Sequence, residues 1–289
     1  MTDVAGKTIF ITGGAQGIGL GMARAFALAG ADLALADIDP DALEAAREEL
    51  SSTARTETFL LDVRDRDAFA RTADEAEERL GPAAVVCNNA GVLGTAAVTD
   101  PSPAVWDHVL GSDVGGVFNG VNAFLPRMIA RGGPGHIVNT ASTAGIRGGA
   151  LFEYSAAKAA VIALSESLHA DAELERLGIR TTVLCPGGVR TRIIDNGIAA
   201  MPGGVPERQR TRIDGERVRT VIEQCGLAPE TVGEQVLAAV QEDRFYVFTD
   251  RSAVADLRER ASAILAAMPE ETEHDRRLAE ARRRLASGG

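Results

Sequence analysis

Tyr154 and Lys158 stand four apart in YSAAK, so on a helix they share one face, a turn apart. A tyrosine with an ordinary pKa of about 10 is a poor base at neutral pH, but an adjacent ammonium favours its phenolate. Such a pair can pass a proton to or from a substrate oxygen. Ser142, in NTASTAG, supplies a hydroxyl to hold that oxygen, with Thr140 and Thr143 as alternative hydroxyls. A YxxxK pair alone is common on helix surfaces, so its meaning depends on what else converges with it.

The segment Thr12-Gly13-Gly14-Ala15-Gln16-Gly17-Ile18-Gly19 lies between a strand-like and a helix-like run. Glycines in that setting let the backbone approach a pyrophosphate at a helix N-terminus. Asp37 follows at the end of the next strand-like run, placed to accept hydrogen bonds from adenosine ribose hydroxyls and to repel a ribose phosphate. Neither Gln16 nor Ile38 supplies a cation for that phosphate, which predicts NAD over NADP; Arg24 and Arg47 are the nearby cations that would alter this.

The elements that must position these residues follow from apolar spacing. Strands are predicted at Lys7–Thr12, Asp32–Ala36, Glu57–Leu61, Ala83–Cys87, Gly135–Thr140, Arg180–Cys185 and Phe245–Phe248. Helices are predicted at Gly17–Ala29, Pro40–Leu50 behind Asp39, Asp65–Leu80, Val105–Ala130, Tyr154–Leu177 and Pro229–Val240. This alternation predicts a single Rossmann-type, doubly wound α/β domain with a mostly parallel seven-stranded sheet and helices on both faces. Ligands of such sheets bind at the carboxyl edge, where Gly13 and Ser142 would meet. The rhythm breaks over about 192–226, read as a lid in which Ile193, Ile194, Ile198 and Met201 mix with many charged residues. The domain is set at 1–250, with 251–289 a helical extension ending in a partly solvated tail.

A net charge of −11 argues against nucleic acid, which demands a basic footprint. The three cysteines form no CxxC pair and the four histidines no cluster, so neither a disulfide framework nor a metal site is expected. With no leader-like segment and no long apolar run, a cytoplasmic protein without membrane contact is expected. Trp106, His108, His136, His169, Cys87 and Cys185 read as packing or surface residues. The Val105–Ala130 and Tyr154–Leu177 helices are apolar over more than one face, which predicts a homo-oligomer, dimer or tetramer.

With TGGAQGIG and YSAAK in this order, the sequence resembles the short-chain dehydrogenase/reductase family over about residues 4–250. Asp62-Val63, Asn88-Asn89-Ala90-Gly91 and Pro186-Gly187-Gly188-Val189-Arg190-Thr191 also match family motifs. The resemblance implies that Asp62 and Val63 contact adenine and that Pro186, Gly187, Val189 and Thr191 hold the nicotinamide carboxamide. Asn89, Ala90 and Gly91 would line the cofactor, and Ser142 would bind the substrate oxygen. The activity implied is hydride transfer between a secondary alcohol and a ketone; the isoleucines of the 192–226 segment suggest a medium-sized, largely apolar small-molecule substrate, and its arginines admit an anionic tail. One position departs from the pattern: the family's usual asparagine, which supports a water chain from the lysine, aligns with Asp113, or with Ser112 if the alignment slips by one. An ionised Asp113 beside Lys158 would weaken the hold of Lys158 on Tyr154. That departure keeps open a weakened, dinucleotide-binding protein acting as a sensor, or atypical chemistry on the same scaffold.

Overall fold

The computed structural model describes residues 2–94, 98–146, 151–200 and 215–287, and the side chains of these except 215–218 and 285–287. The chain divides into two compact units, Met1–Ala253 and Val254–Gly289. In the first, seven strands run β1 (Thr8–Thr12), β2 (Asp32–Asp37), β3 (Thr56–Leu60), β4 (Ala83–Asn88), β5 (Gly135–Thr140), β6 (Ile179–Cys185) and β7 (Tyr246–Phe248). They form one sheet in the order β3-β2-β1-β4-β5-β6-β7. Every pairing is parallel, where the sequence predicts only a mostly parallel sheet.

Strand side chains alternate between the faces, and each face has its own core. Ile9 and Ile11 of β1 and Leu33 and Leu35 of β2 pack with Met22 and Phe26 of α1 (Gly17–Leu28) and Val232 and Val236 of α10 (Pro229–Gln241). Phe10, between those two isoleucines, points the other way, to Phe69 of α3 (Arg66–Leu80) and Phe124 of α5 (Gly116–Ala130). Its ring centre lies 6.0 Å from that of Phe69 and 4.7 Å from that of Phe124. On the first face α1 and α10 cross backbone to backbone: a Cβ on Gly21 would lie 2.1 Å from the Pro229 carbonyl, and one on Gly233 2.1 Å from that of Gly21. Only glycine allows that approach.

α2 (Pro40–Leu50) starts as read, Asp39 accepting from the Asp41 and Ala42 N–H groups. Two long helices are interrupted where the sequence predicts continuity. The first is α4 (Pro103–Leu110), a π-helical turn Gly111–Gly115, and α5. The second is α6 (Phe152–His169) and α7 (Ala172–Arg176), split because Asp171 caps a new helix through the Glu173 and Leu174 N–H groups. Of the segment that the sequence suggests as a lid, α8 (Ile193–Ala199) and α9 (Gly215–Cys225) are described, and its arginines at 208, 210 and 212, with Met201, lie outside the described residues. Val189 and Leu227 form a parallel bridge at its base, with the Arg190 N–H on the Leu227 carbonyl at 2.9 Å and the Leu227 N–H on that of Gly188 at 3.0 Å. The second unit holds α11 (Val254–Ala266) and α12 (Glu273–Ser287). Among the described residues no helix is long and apolar enough to cross a membrane.

Candidate active site

The residues singled out from sequence gather along the carboxyl ends of β1 to β6, with α6 beside them. The loop after β1 turns through Gly13 at φ +59°, a left-handed conformation that favours glycine. Gly19, opening α1, sits so close to the Gly13 carbonyl that a Cβ would come within 1.9 Å of it. The result is a tight cradle around the N-terminus of α1. Asn89, just after β4, fastens it, its amide donating to the Thr12 carbonyl at 3.1 Å and the Gly13 carbonyl at 3.3 Å. The Thr12 hydroxyl accepts from the N–H groups of Asn89 and Ala90, at 2.9 and 3.1 Å.

Asp37 is buried at the end of β2. Its Oδ1 accepts from the Ile38 and Asp39 N–H groups at 2.8 and 3.2 Å, and its Oδ2 from the Ala15 N–H at 3.1 Å. The carboxylate therefore caps its own turn and braces the cradle, leaving Oδ2 with one partner and a further lone pair. Burial holds the Asp37 carboxyl above its ordinary pKa despite those donors. Ile38 is exposed beside it, and Gln16 donates to Asp39 at 3.2 Å. Arg24 is engaged with Glu49 and Glu230, and Arg47 with Glu44.

After β3, Val63 is buried, while Asp62 is gripped by Arg64, whose Nε lies 3.0 Å from both carboxylate oxygens and whose Nη2 lies 2.5 Å from Oδ2. That side-chain bond holds the Asp62 carboxyl below its ordinary pKa. Arg64 Nη1 also meets His108 Nδ1 at 3.1 Å, so His108 has a polar partner that sequence reading missed. The sequence signals Arg64 by nothing more than its place two residues after Asp62. Trp106 stacks on Phe152 at 6.2 Å, and Cys87 and Cys185 are buried thiols.

Across the edge, Tyr154 and Lys158 are both buried, with Lys158 Nζ 5.5 Å from the centre of the Tyr154 ring. Lys158 Nζ donates to the Thr140 carbonyl at 3.0 Å and lies 3.0 Å from Asp113 Oδ2. Asp113 Oδ1 accepts from the Val92 N–H at 2.8 Å, and Gly91 packs against the pair. The π-helical turn brings Asp113, rather than Ser112, to this position. Burial alone would drive the lysine towards its neutral form, but the Asp113 carboxylate overcomes it and holds the Lys158 ammonium above its ordinary pKa.

The Ser142 hydroxyl accepts from the Ala144 N–H at 3.1 Å and shares a hydrogen bond with the Tyr154 phenol. Burial pushes that phenol above its ordinary pKa; the Lys158 ammonium and Ser142 oppose this, and Asp113 adds to it. The net rise differs from the lowering that the ammonium alone predicts, because the sequence does not reveal how deeply the ring is enclosed. Glu153, also missed, is fully buried with neither carboxylate oxygen hydrogen-bonded among the described residues. After β6, the Pro186 carbonyl accepts from the Thr143 N–H at 3.0 Å and the Gly187 N–H donates to Thr249 at 2.9 Å. Val189 is buried, and Thr191 lies over Gly17. Among the described residues no group of histidine, cysteine and carboxylate side chains is placed to hold a metal.

Comparison with known proteins agrees with this geometry. The short chain dehydrogenase family profile matches residues 7–200. The C alpha-dehydrogenase of Sphingobium sp. (strain NBRC 103272 / SYK-6) is 36% identical over 255 residues, covering 86% of this chain and 81% of that protein. The 1-deoxy-11-beta-hydroxypentalenate dehydrogenase of Streptomyces exfoliatus is 36% identical over 268 residues, covering 88% and 86%. Among solved structures, a short chain dehydrogenase/reductase from Burkholderia phymatum in complex with NAD superposes with a TM-score of 0.87 at 30% identity, covering 94% of this chain and 99% of that one.

Proposed function

The chain belongs to the short chain dehydrogenase family, and from that premise we propose that it is an NAD-dependent oxidoreductase interconverting a secondary alcohol and a ketone. One observation carries this reading: Ser142, Tyr154 and Lys158 meet at the same sheet edge as the glycine cradle.

The residues present fit a dinucleotide. The cradle closes without side chains at Gly13 and Gly19, and Asp37 Oδ2 keeps a lone pair for a ribose hydroxyl. Gly13, Gln16, Gly17, Ile18 and Gly19 would take the pyrophosphate, and Asp37 and Ile38 the adenosine ribose. Val63 and Asp62, the latter shared with Arg64, would meet the adenine. Asn89, Ala90, Gly91, Pro186, Gly187, Val189 and Thr191 would line the nicotinamide end. When bound, the nicotinamide supplies or accepts the hydride.

The protein's own part is to hold the substrate oxygen and move its proton. Ser142 donates to that oxygen, and Tyr154 exchanges the proton with it as general acid or base. Lys158 supports the phenolate by its charge and is held in place by the Thr140 carbonyl. Asp113 is a positioning residue: it orients Lys158 and also offsets part of its field at Tyr154. That offset supports a second reading, a catalyst of lowered turnover.

The test is absorbance of reduced nicotinamide with secondary alcohols and ketones, offered with NAD and with NADP. Replacing Tyr154 with Phe should lower turnover by at least about 10²–10⁴ while leaving NAD affinity nearly unchanged. Loss of NAD binding in that variant would give Tyr154 a structural role instead.

A further inference from the structure

Where β6 and β7 end, the hydrogen-bond ladder between them changes partners. Their register stops at Cys185 opposite Phe248. Two turns of the pleat earlier, the Val183 N–H donates to the Phe245 carbonyl at 2.7 Å. In a parallel pair such bonds recur at every second residue, so four residues further on the Gly187 N–H would meet the Thr249 carbonyl. It donates instead to the Thr249 hydroxyl, at 2.9 Å. The carbonyl left over accepts from the side-chain amide of Gln235, on α10, at 3.3 Å. The Thr249 hydroxyl in turn donates to Asp250 Oδ2 at 3.2 Å.

This exchange seats the turn after β6. Gly187 is pressed on its support so closely that a Cβ would lie 2.1 Å from Asp250 Oδ2. Thr249 is buried, so a Gly187 N–H that lost this hydroxyl would have to move to find another acceptor. On its far side the same turn is tied to the loop that carries Ser142, the Pro186 carbonyl accepting from the Thr143 N–H at 3.0 Å. One short turn is therefore pinned between the end of β7 and the loop that presents the substrate-binding hydroxyl. Hydride transfer is sensitive to such placement, a displacement of about 1 Å costing on the order of 10² in rate.

We propose that Thr249 is a positioning residue for the nicotinamide end of the cofactor: through the Gly187 N–H it sets the Pro186–Gly187 turn, and through that turn the alignment of the nicotinamide with the oxygen held by Ser142 and Tyr154. The proposal rests on the reading that Pro186 and Gly187 line the nicotinamide. In Thr249→Val the shape stays and the acceptor is lost, so the Gly187 N–H returns to the main-chain carbonyl of position 249 and draws the turn towards β7. Thr249→Ser keeps the acceptor.

The experiment compares the full chain with Thr249→Val and Thr249→Ser, or with Thr249→Ala where the valine variant does not fold. Three quantities are measured: the dissociation constant of ADP-ribose, the fluorescence of NADH at saturation, and the single-turnover rate of hydride transfer from a secondary alcohol. ADP-ribose, which lacks the nicotinamide, should bind all the chains equally. The emission of bound NADH should fall towards that of free NADH in Thr249→Val and keep its native value in Thr249→Ser. Hydride transfer should slow at least about tenfold in Thr249→Val and recover in Thr249→Ser. Native NADH emission in Thr249→Val overturns the proposal, as does a Thr249→Ser chain that behaves like Thr249→Val. Weakened ADP-ribose binding also overturns it, because Thr249 would then support the whole cradle and not the nicotinamide end. If the unaltered chain binds NADH but moves no hydride with any secondary alcohol or ketone, the reaction read for this site falls, and the fluorescence still decides the role of Thr249.

Discussion

Replacing Asp113 with Asn removes a buried negative charge and keeps the shape of the side chain. Asp113 Oδ2 is 3.0 Å from Lys158 Nζ, which is 5.5 Å from the Tyr154 ring centre, so the carboxylate lies no farther from that ring than those two distances end to end. At about 8 Å and an effective dielectric constant of about 20, a unit charge raises the cost of the phenolate by about 2 kcal/mol, or about 1.5 pKa units. Discounting for relaxation around the site, the rising alkaline limb of alcohol oxidation should move about one unit to lower pH in Asp113→Asn. The assay is initial-rate kcat for oxidation from pH 6 to 10.5 at saturating NAD and alcohol. A countervailing effect sets the refutation: Lys158 loses the carboxylate that keeps it charged against burial, and a neutral lysine would no longer favour the phenolate. A limb that moves to higher pH would mean that Asp113 serves Tyr154 through Lys158 and not against it. An unchanged limb would mean that neither group governs the proton step.

Asp37 should make NAD bind at least about tenfold more tightly than NADP, about 1.4 kcal/mol, read as two dissociation constants; equal constants would refute it. His136 is fully buried, its Nε2 2.8 Å from the Thr182 hydroxyl, and burial lowers its pKa to about 4. The unfolded chain therefore takes up a proton first as pH falls from about 6.5 to about 4, and stability should drop across that window by about 3 kcal/mol for this group. Urea unfolding at pH 7 and pH 4.5 checks it, with His136→Gln expected to flatten the dependence. Gly233→Ala puts a methyl against the Gly21 carbonyl and should cost about 1–3 kcal/mol, read as a lowered thermal midpoint; an unaltered midpoint would mean that the α1–α10 crossing yields freely.

The glycine loop, the alternation of strands and helices and the Tyr154, Lys158 and Ser142 positions are legible in the sequence because each rests on a local rule: a strand before a turn, or a helical spacing of four. What escapes is set by depth or by a single shifted hydrogen bond. Nothing about Gly111–Gly115 distinguishes a π-helical turn from α-helix, yet that turn decides whether Asp113 or Ser112 faces Lys158. Arg64 on His108 and the bracing role of Asn89 belong to side chains that meet only once distant elements are side by side. Asp171 was a readable cap, hidden inside an otherwise apolar helical pattern. The upward shift of the Tyr154 phenol depends on enclosure, which spacing does not encode.

The bridge between Val189 and Leu227 has a consequence for how such a protein diversifies. A loop whose two ends touch can be lengthened, shortened or exchanged whole without moving the strand it leaves or the helix it leads into, because the entropy of closing it has already been met at the neck. Arg190 doubles that closure from its side chain, donating to the Gly226 carbonyl at 2.6 Å. New sequence spliced between Arg190 and Gly226 should therefore leave the neck, and the sheet edge it rises from, in register.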